Sequence, residues 1–397
     1  MLSLLWLLLA APAAPPSMTS PVDPVFLSLT REVEDGLRAG NPAGLDARID
    51  TDRLLQRATH GLPVSRAFIE ALTGQVRESG LPLGAQLLGS GGESPAGVRL
   101  LRVRMQGRTP LALFRVLSLS GLNYFELELG RNARNEAVIV DIHPYLAGER
   151  FSDSLRRVYL MTAAERGQCR AQGLRRPERV WVGNLPRLRR IQHLLESDRH
   201  REVVEELDQF PPEVRGEKFV QLIRLRALAS LDEAEYALGL LAFEKDFPGD
   251  AALELLSLDN PLLRGDGVAA MQAIDRLDRR VGDPYLHHLR GLVKLGQEDL
   301  AGAKRSFQKA LEGDPALFEP YVELLGLSIH ESDHAGAVRL LEALEREVGA
   351  DVLQVSVEGA PQAGGFLESA EYKAWLERRG ARKPRDGGAD VAGTAAP

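Results

Sequence analysis

Apolar and polar positions along the first 165 residues change period once. Phe26, Leu29, Val33 and Leu37 fall at helical spacing, and Phe68, Leu72 and Val76 do so again, which predicts two amphipathic helices. The Gly/Ser-rich stretch GSGGESPAG (89–97) ends this helical portion. Four strand-like runs follow: VRLLRVRM, LALFRVLSL, NYFELELG and AVIVDIHPY. In the third, Phe125, Leu127 and Leu129 alternate with Glu126 and Glu128, the period-two signature of a half-buried strand. The connections QGRT, SGL and GRNARNE are short and polar, so neighbouring strands should pair antiparallel as a meander. A helix, FSDSLRRVYLM, comes next, with Ser152 as its expected N-cap. Residues 20–165 therefore read as an α+β domain, helices first and then a curved antiparallel sheet of about four strands.

Residues 166–190 carry eight arginines, one glutamate and two prolines. The expectation is a linker over 166–186 with an exposed basic surface. It could dock on an anionic lipid, glycan or nucleic acid with Trp181 as anchor, or pair with nearby acidic helices.

From 187 to 351 the pattern is helical and it recurs. AGAKRSFQKALEGDP (301–315) aligns with AGAVRLLEALEREVG (335–349), so that Ala303 matches Ala337, Phe307 matches Leu341 and Ala310 matches Leu344, each 34 residues apart. With Gly291 before the first unit and Pro315 closing it, the run resembles the tetratricopeptide repeat family, whose pattern is G…A-x₃-F…P. Tyr321 and Leu324 take the aromatic and leucine positions that open the next repeat. Weaker units lie at 264–284, with Ala269 at the small-residue position, at 228–250, and at 196–212. About five helix pairs are expected. FLESAEYKAWLERR, within a capping region at 352–382, supplies Phe366, Tyr372, Trp375 and Leu376 to close the last apolar face. Residues 383–397 lack apolar content and should be disordered.

The resemblance implies an α-solenoid that binds protein or peptide partners in its groove. Its groove positions fall here on Tyr285, His288, Leu292 and Val322. The chaperone-binding members of that family clamp a C-terminal carboxylate with Lys and Asn on the groove face. His288, Leu292, Val322 and Gly326 stand at the comparable positions, so an apolar or mixed peptide, or a folded domain, fits better.

Two chemical motifs compete with this adaptor reading. Residues 330–334 read HESDH, the H-E-x-x-H pattern that places two imidazoles one helical turn apart on a zinc ion. In the repeat register HESDHAGA aligns with GQEDLAGA (296–303), which puts Ser332 and Asp333 in an inter-helix turn and removes that spacing. No metal site and no cofactor is expected. The second motif is VIVDIHPY: on a strand, Asp141, His143 and Tyr145 share one face. A carboxylate, an imidazole and a phenol together could abstract a proton in a sheet-lined pocket. The element order of this domain is similar to the nuclear-transport-factor-like (cystatin-like) cone fold, which implies an isomerase, a cyclase or a non-catalytic binding domain. The alternatives for the chain are therefore a non-enzymatic adaptor, or an enzyme or small-ligand binder with its site at these three residues. Phosphate-loop, dinucleotide and nucleophile-elbow motifs are absent from the sequence.

Charge and leader complete the picture. The net charge of −7 argues against a dedicated nucleic-acid binder. One cysteine, Cys169, rules out an intramolecular disulfide framework. The run LSLLWLLLA followed by Ala11-Pro12-Ala13 reads as a signal peptide over residues 1–19, too short to span a bilayer. A periplasmic or secreted location is the expectation.

Overall fold

The computed structural model describes residues 22–88, 97–118, 121–169, 173–258, 265–349 and 363–382. The apolar run at 2–10 and the tail at 383–397 lie outside these residues.

Five helices open the chain: α1 (Pro24–Arg38), α2 (Pro42–Asp46), α3 (Thr51–Thr59), α4 (Arg66–Ser79) and α5 (Leu83–Leu88). Side chains cap three of them. Asp23 accepts from Val25 N–H, Asp50 from Arg53 N–H and Ser65 from Phe68 N–H, each satisfying an orphan donor of a first turn. The strands β1 (Arg99–Gln106), β2 (Thr109–Ser118), β3 (Gly121–Arg131) and β4 (Ala137–Pro144) form one antiparallel meander in the order β1-β2-β3-β4. One sheet face, with Ala112, Phe114, Val116, Phe125 and Leu127, packs on Phe26, Leu29, Val33 and Leu37 of α1. A register shift at Glu128/Leu129 lets both Ile139 and Ile142 enter this core, which a regular period of two forbids. Helix α6 (Phe151–Glu165) follows a 3-10 turn at Tyr145–Ala147.

The segment expected to be an open linker is partly helical. Helix α7 (Arg176–Gly183) buries Trp181 against Phe210 and Phe219, so the indole is core and not a free anchor. Five of the eight arginines hold carboxylates: Arg175 on Glu178, Arg176 on Glu213, Arg187 and Arg190 on Glu206, and Arg189 on Glu165. The apolar Val180 and Trp181 in the run drive the helix onto the next one, and four carboxylates offset part of its charge.

The rest is helix pairs: α8 (Leu185–Glu196) with α9 (His200–Asp208), then after the short α10 (Pro212–Arg215), α11 (Lys218–Ala229) with α12 (Glu233–Asp246). Helices α13 (Ala251–Leu256) and α14 (Gly267–Val281), α15 (Tyr285–Gly296) and α16 (Leu300–Gly313), and α17 (Glu319–His330) and α18 (His334–Glu347) continue the series. Helices α19 (Ala363–Leu367) and α20 (Ala370–Arg382) end it. Four of the second helices begin alike. Asp232, Asp266, Asp299 and Asp333 each accept from the backbone N–H three residues on, and the spacings are 34, 33 and 34 residues. Counting from these caps puts Ala270, Ala303 and Ala337 at one fully buried position. The small residue of the 264–284 unit is thus Ala270, one later than the expected Ala269, which is only partly covered. At Gly291 a Cβ would sit 2.2 Å from the Phe307 ring, which is why a glycine faces that phenylalanine. Phe366 and Trp375 close the last pair, while Leu376 of the expected cap stays 36 % exposed.

Candidate functional site

Much of the second face of the sheet is covered by the helix pairs. Leu113, Tyr124 and Tyr145 share a core with Ala270, Ile274, Leu277, Val281 and Leu286. Arg102 of β1 donates to the carbonyls of Arg280 and Val281, the free acceptors at the end of α14. At the centre lies Arg115 of β2, 2 % exposed. It donates to Asp283 Oδ1 at 2.9 Å and to Asp314 Oδ2 at 2.7 Å, and its guanidinium lies 5.7 Å from the Tyr285 ring centroid. Tyr124 donates to the other oxygen of Asp283 at 2.9 Å. Burial, followed by the Asp283 charge, pushes the Tyr124 hydroxyl well above its usual range, so it stays a donor. Asp283 and Asp314 follow α14 and α16, each inside a Gly-Asp-Pro tripeptide. One arginine from the sheet therefore bolts together two successive inter-pair turns.

The same packing occupies much of the expected groove. Tyr285 is half-buried under Arg115. His288 is 4 % exposed, between Tyr285 at 5.3 Å and Phe307 at 5.5 Å. Its Nδ1 is buried without a hydrogen-bond partner, and burial lowers its pKa to about 4, so the neutral ring acts as packing, not as a groove ligand. Leu292 packs between two cores, and Val322 is half-buried. The other repeat positions, Gly291, Phe307, Ala310, Tyr321, Leu324 and Leu341, are all buried, and Pro315 follows the clamp residue Asp314.

Asp141, His143 and Tyr145 lie on the sheet face toward α6 and the helix pairs, but their polar contacts do not converge. Asp141, 1 % exposed, accepts from Ser152 Oγ at 2.6 Å, from Ser152 N–H at 3.2 Å and from Arg57 at 3.4 Å. Ser152 is thus not the N-cap expected of it. It sits in the first turn of α6 and ties that turn to the strand, where the helix dipole and Arg57 compensate a buried carboxylate. Arg57 also binds Glu128, and that contact holds the Glu128 carboxyl below its ordinary range. His143 lies 5.7 Å from the Tyr145 ring, and Tyr145 lies 5.9 Å from Tyr124. Burial lowers the His143 pKa and raises that of Tyr145 to about 12.

His330 is the last residue of α17 and His334 the first of α18, with Ser332 between them at φ 59°. The H-E-x-x-H letters therefore straddle a turn. Among the described residues no cluster of three His, Cys, Asp or Glu side chains is placed to hold a metal.

Open concave surface occurs between successive second helices. A cleft of about 690 Å³ lies between α16 and α18 over α17, lined by Gln308, Leu311, Leu324, Ser328, Arg339 and Leu340 among others. An equivalent cleft of about 410 Å³ lies between α9 and α12 over α11, with Leu207, Val220, Arg224, Leu225, Gly239 and Ala242. Apolar floors with polar rims suit side-chain insertion from a partner.

No family model and no curated protein matches the chain. A solved structure, MamA 41-end from Desulfovibrio magneticus RS-1, is similar to 42 % of this chain and 95 % of its own, at 19 % identity and a TM-score of 0.36. Similarity at that level carries no argument, and the reading below rests on the geometry of this chain. No helix among the described residues is long and apolar enough to cross a membrane.

Proposed function

We propose that the chain is a non-enzymatic protein-interaction scaffold of the tetratricopeptide type, with its sheet domain as a built-in brace. The observation that carries the reading is the recurrence of aspartate-capped second helices at 33–34 residues. Clefts open between neighbouring second helices at two places in the stack, with room for a partner's side chains. The free surface is the clefts, because the sheet domain covers Tyr285 and its neighbours. A partner segment with spaced apolar side chains and mixed charge fits the linings. The proposed location is outside the cytoplasm, on the strength of the apolar leader and its Ala-Pro-Ala site.

The test is capture of partners by the mature protein, followed by competition with cleft variants. Leu340→Glu and Leu311→Glu should reduce capture of the same partner that wild type retains. Asp141→Asn with His143→Ala should leave it unchanged. Capture that survives the cleft variants and is lost on the sheet substitutions would reverse the assignment.

A further inference from the structure

An open meander has two edges, and this chain treats them differently. On the β4 side the link between α2 and α3 closes the edge: Asp50 N–H donates to the Ile139 carbonyl, and Ile139 N–H donates to that of Arg48. On the β1 side, among the described residues, no backbone group outside β2 bonds to the strand. At its start the Glu34 carboxylate accepts from Leu100 N–H. No residue of β1 is fully covered, whereas β2 is buried from Pro110 to Val116. The outward N–H and C=O groups of such a strand are a template for another chain to pair with.

The register shift between Leu100 and Arg102 sorts the side chains of β1 into two rows. Leu100, Val103 and Met105 lie opposite Phe114, Ala112 and Pro110, on the face toward α1, and Leu100 and Val103 pack on that core. Arg99, Arg102 and Arg104 lie opposite Arg115, Leu113 and Leu111, on the face toward the helix pairs. Arg108 follows in the turn, exposed. Two carboxylates bond to this stretch: Glu126 pairs with Arg104, and Glu34 holds the Leu100 N–H. Arg102 is bonded to the carbonyls at the end of α14. Among the described residues, Arg99 and Arg108 hold no carboxylate, so the edge carries surplus positive charge.

We propose that the free edge of β1 binds an extended segment of a partner protein in which apolar and acidic residues alternate. The added strand makes main-chain bonds to β1. Its apolar side chains extend the row of Leu100, Val103 and Met105, and its carboxylates lie beside Arg99 and Arg104, where opposite charges on neighbouring strands attract. The same row rejects a second copy. Pairing β1 with β1 about a two-fold axis brings two rows of arginine together, and edge charge is a common guard against such pairing. An acidic strand turns that guard into attraction. The surface is separate from the clefts between second helices.

The probe is a synthetic peptide alternating valine and glutamate, matched to the 8 residues of β1. Added to the full chain, it should raise hydrogen-exchange protection of the backbone amides in 99–106. At low salt it should bind about tenfold more tightly than a valine–lysine peptide of the same length. The glutamate peptide methylated at every backbone nitrogen keeps its charge but has no N–H for the ladder, so it should not bind. Arg99→Glu with Arg108→Glu should reverse the preference toward the lysine peptide with an unchanged melting curve, since neither arginine holds a partner. Leu340→Glu, in the α16–α18 cleft, should bind the glutamate peptide as wild type does. Absence of protection in 99–106 at about a millimolar peptide would overturn the proposal. So would equal binding of the methylated peptide, or a preference for glutamate that survives the double charge reversal.

Discussion

Replacing Arg115 with methionine removes the single cation that two buried aspartates share. Arg115, Asp283 and Asp314 are all nearly inaccessible, with side-chain exposures of 2 %, 0 % and 2 %. Deleting one member of a buried charge set leaves the others uncompensated and costs about 3–5 kcal/mol. The two carboxylates are not left equal. Asp283 keeps the Tyr124 hydroxyl and the Tyr285 N–H, whereas Asp314 keeps a longer bond from Ala316 N–H at 3.3 Å. Asp314 should therefore account for more of the loss, and adding Asp314→Asn to the methionine variant should recover more stability than adding Asp283→Asn. The coupling energy from such cycles should fall within about 0.5–3 kcal/mol. Urea unfolding monitored by far-ultraviolet circular dichroism and by tryptophan fluorescence reads the effect. Trp181 and Trp375 lie in the helical part and the sheet domain holds no tryptophan, so the two signals separate if the domains uncouple. Wild type should show one coincident transition and the methionine variant two. An unchanged midpoint, or a shift no larger than that of exposed Arg66→Met, would refute the clamp.

Other expectations follow from single contacts. Gly291→Ala drives a methyl to 2.2 Å from Phe307 and should destabilise the chain by about 1–3 kcal/mol, read as a lower urea midpoint. Ala303→Leu should cost a similar ~1–3 kcal/mol by overpacking, and no change in its melt would mean that Ala303 is not at the helix-pair contact. Asp299→Ala and Asp333→Ala each lose a capping bond and should each cost about 1 kcal/mol, read as a lower urea midpoint. His288 is held at a pKa of about 4 by burial, below its unfolded value of about 6.5, so the unfolded chain binds its proton first. Its stability contribution is full above that unfolded value and is lost as pH falls through about 4. The loss is about 3 kcal/mol, and His288→Leu should flatten the pH dependence between these limits.

The order of helices, meander and helix pairs was legible because burial on one face imposes period two on β3 and period 3.6 on α1. The 34-residue offset between Ala303 and Ala337 was legible for the same reason, since a stacked pair must repeat its contacts. What local patterns could not show was how the two parts meet. Arg115 lies 168 residues from Asp283 and 199 from Asp314, and no periodicity links positions that far apart. A signal was nevertheless present: one arginine inside the apolar run LALFRVL, and two Gly-Asp-Pro turns. For 166–186 the sequence offers either an exposed basic surface anchored by Trp181 or arginines paired with acidic helices. The ion pairs follow the second, and Trp181 is buried with Val180 packed beside it. Asp141 looked like a reactive carboxylate because strand alternation places it beside His143, yet its bonds go to Ser152 and Arg57. A one-residue bulge at Val140, invisible in an alternating pattern, shifts the core from Ile139 to Ile142.

The central claim, that the clefts between second helices hold the partner while the sheet domain serves as brace, is tested most directly by site-specific photo-cross-linking in native cells. A photoreactive residue at Gln308 or Arg339, both on the rim of the α16–α18 cleft, should give a discrete adduct with a second protein. The same residue at Arg134, in the cleft beside the β3–β4 turn, should give none. Adducts from Arg134 together with silence from both cleft positions would contradict the account.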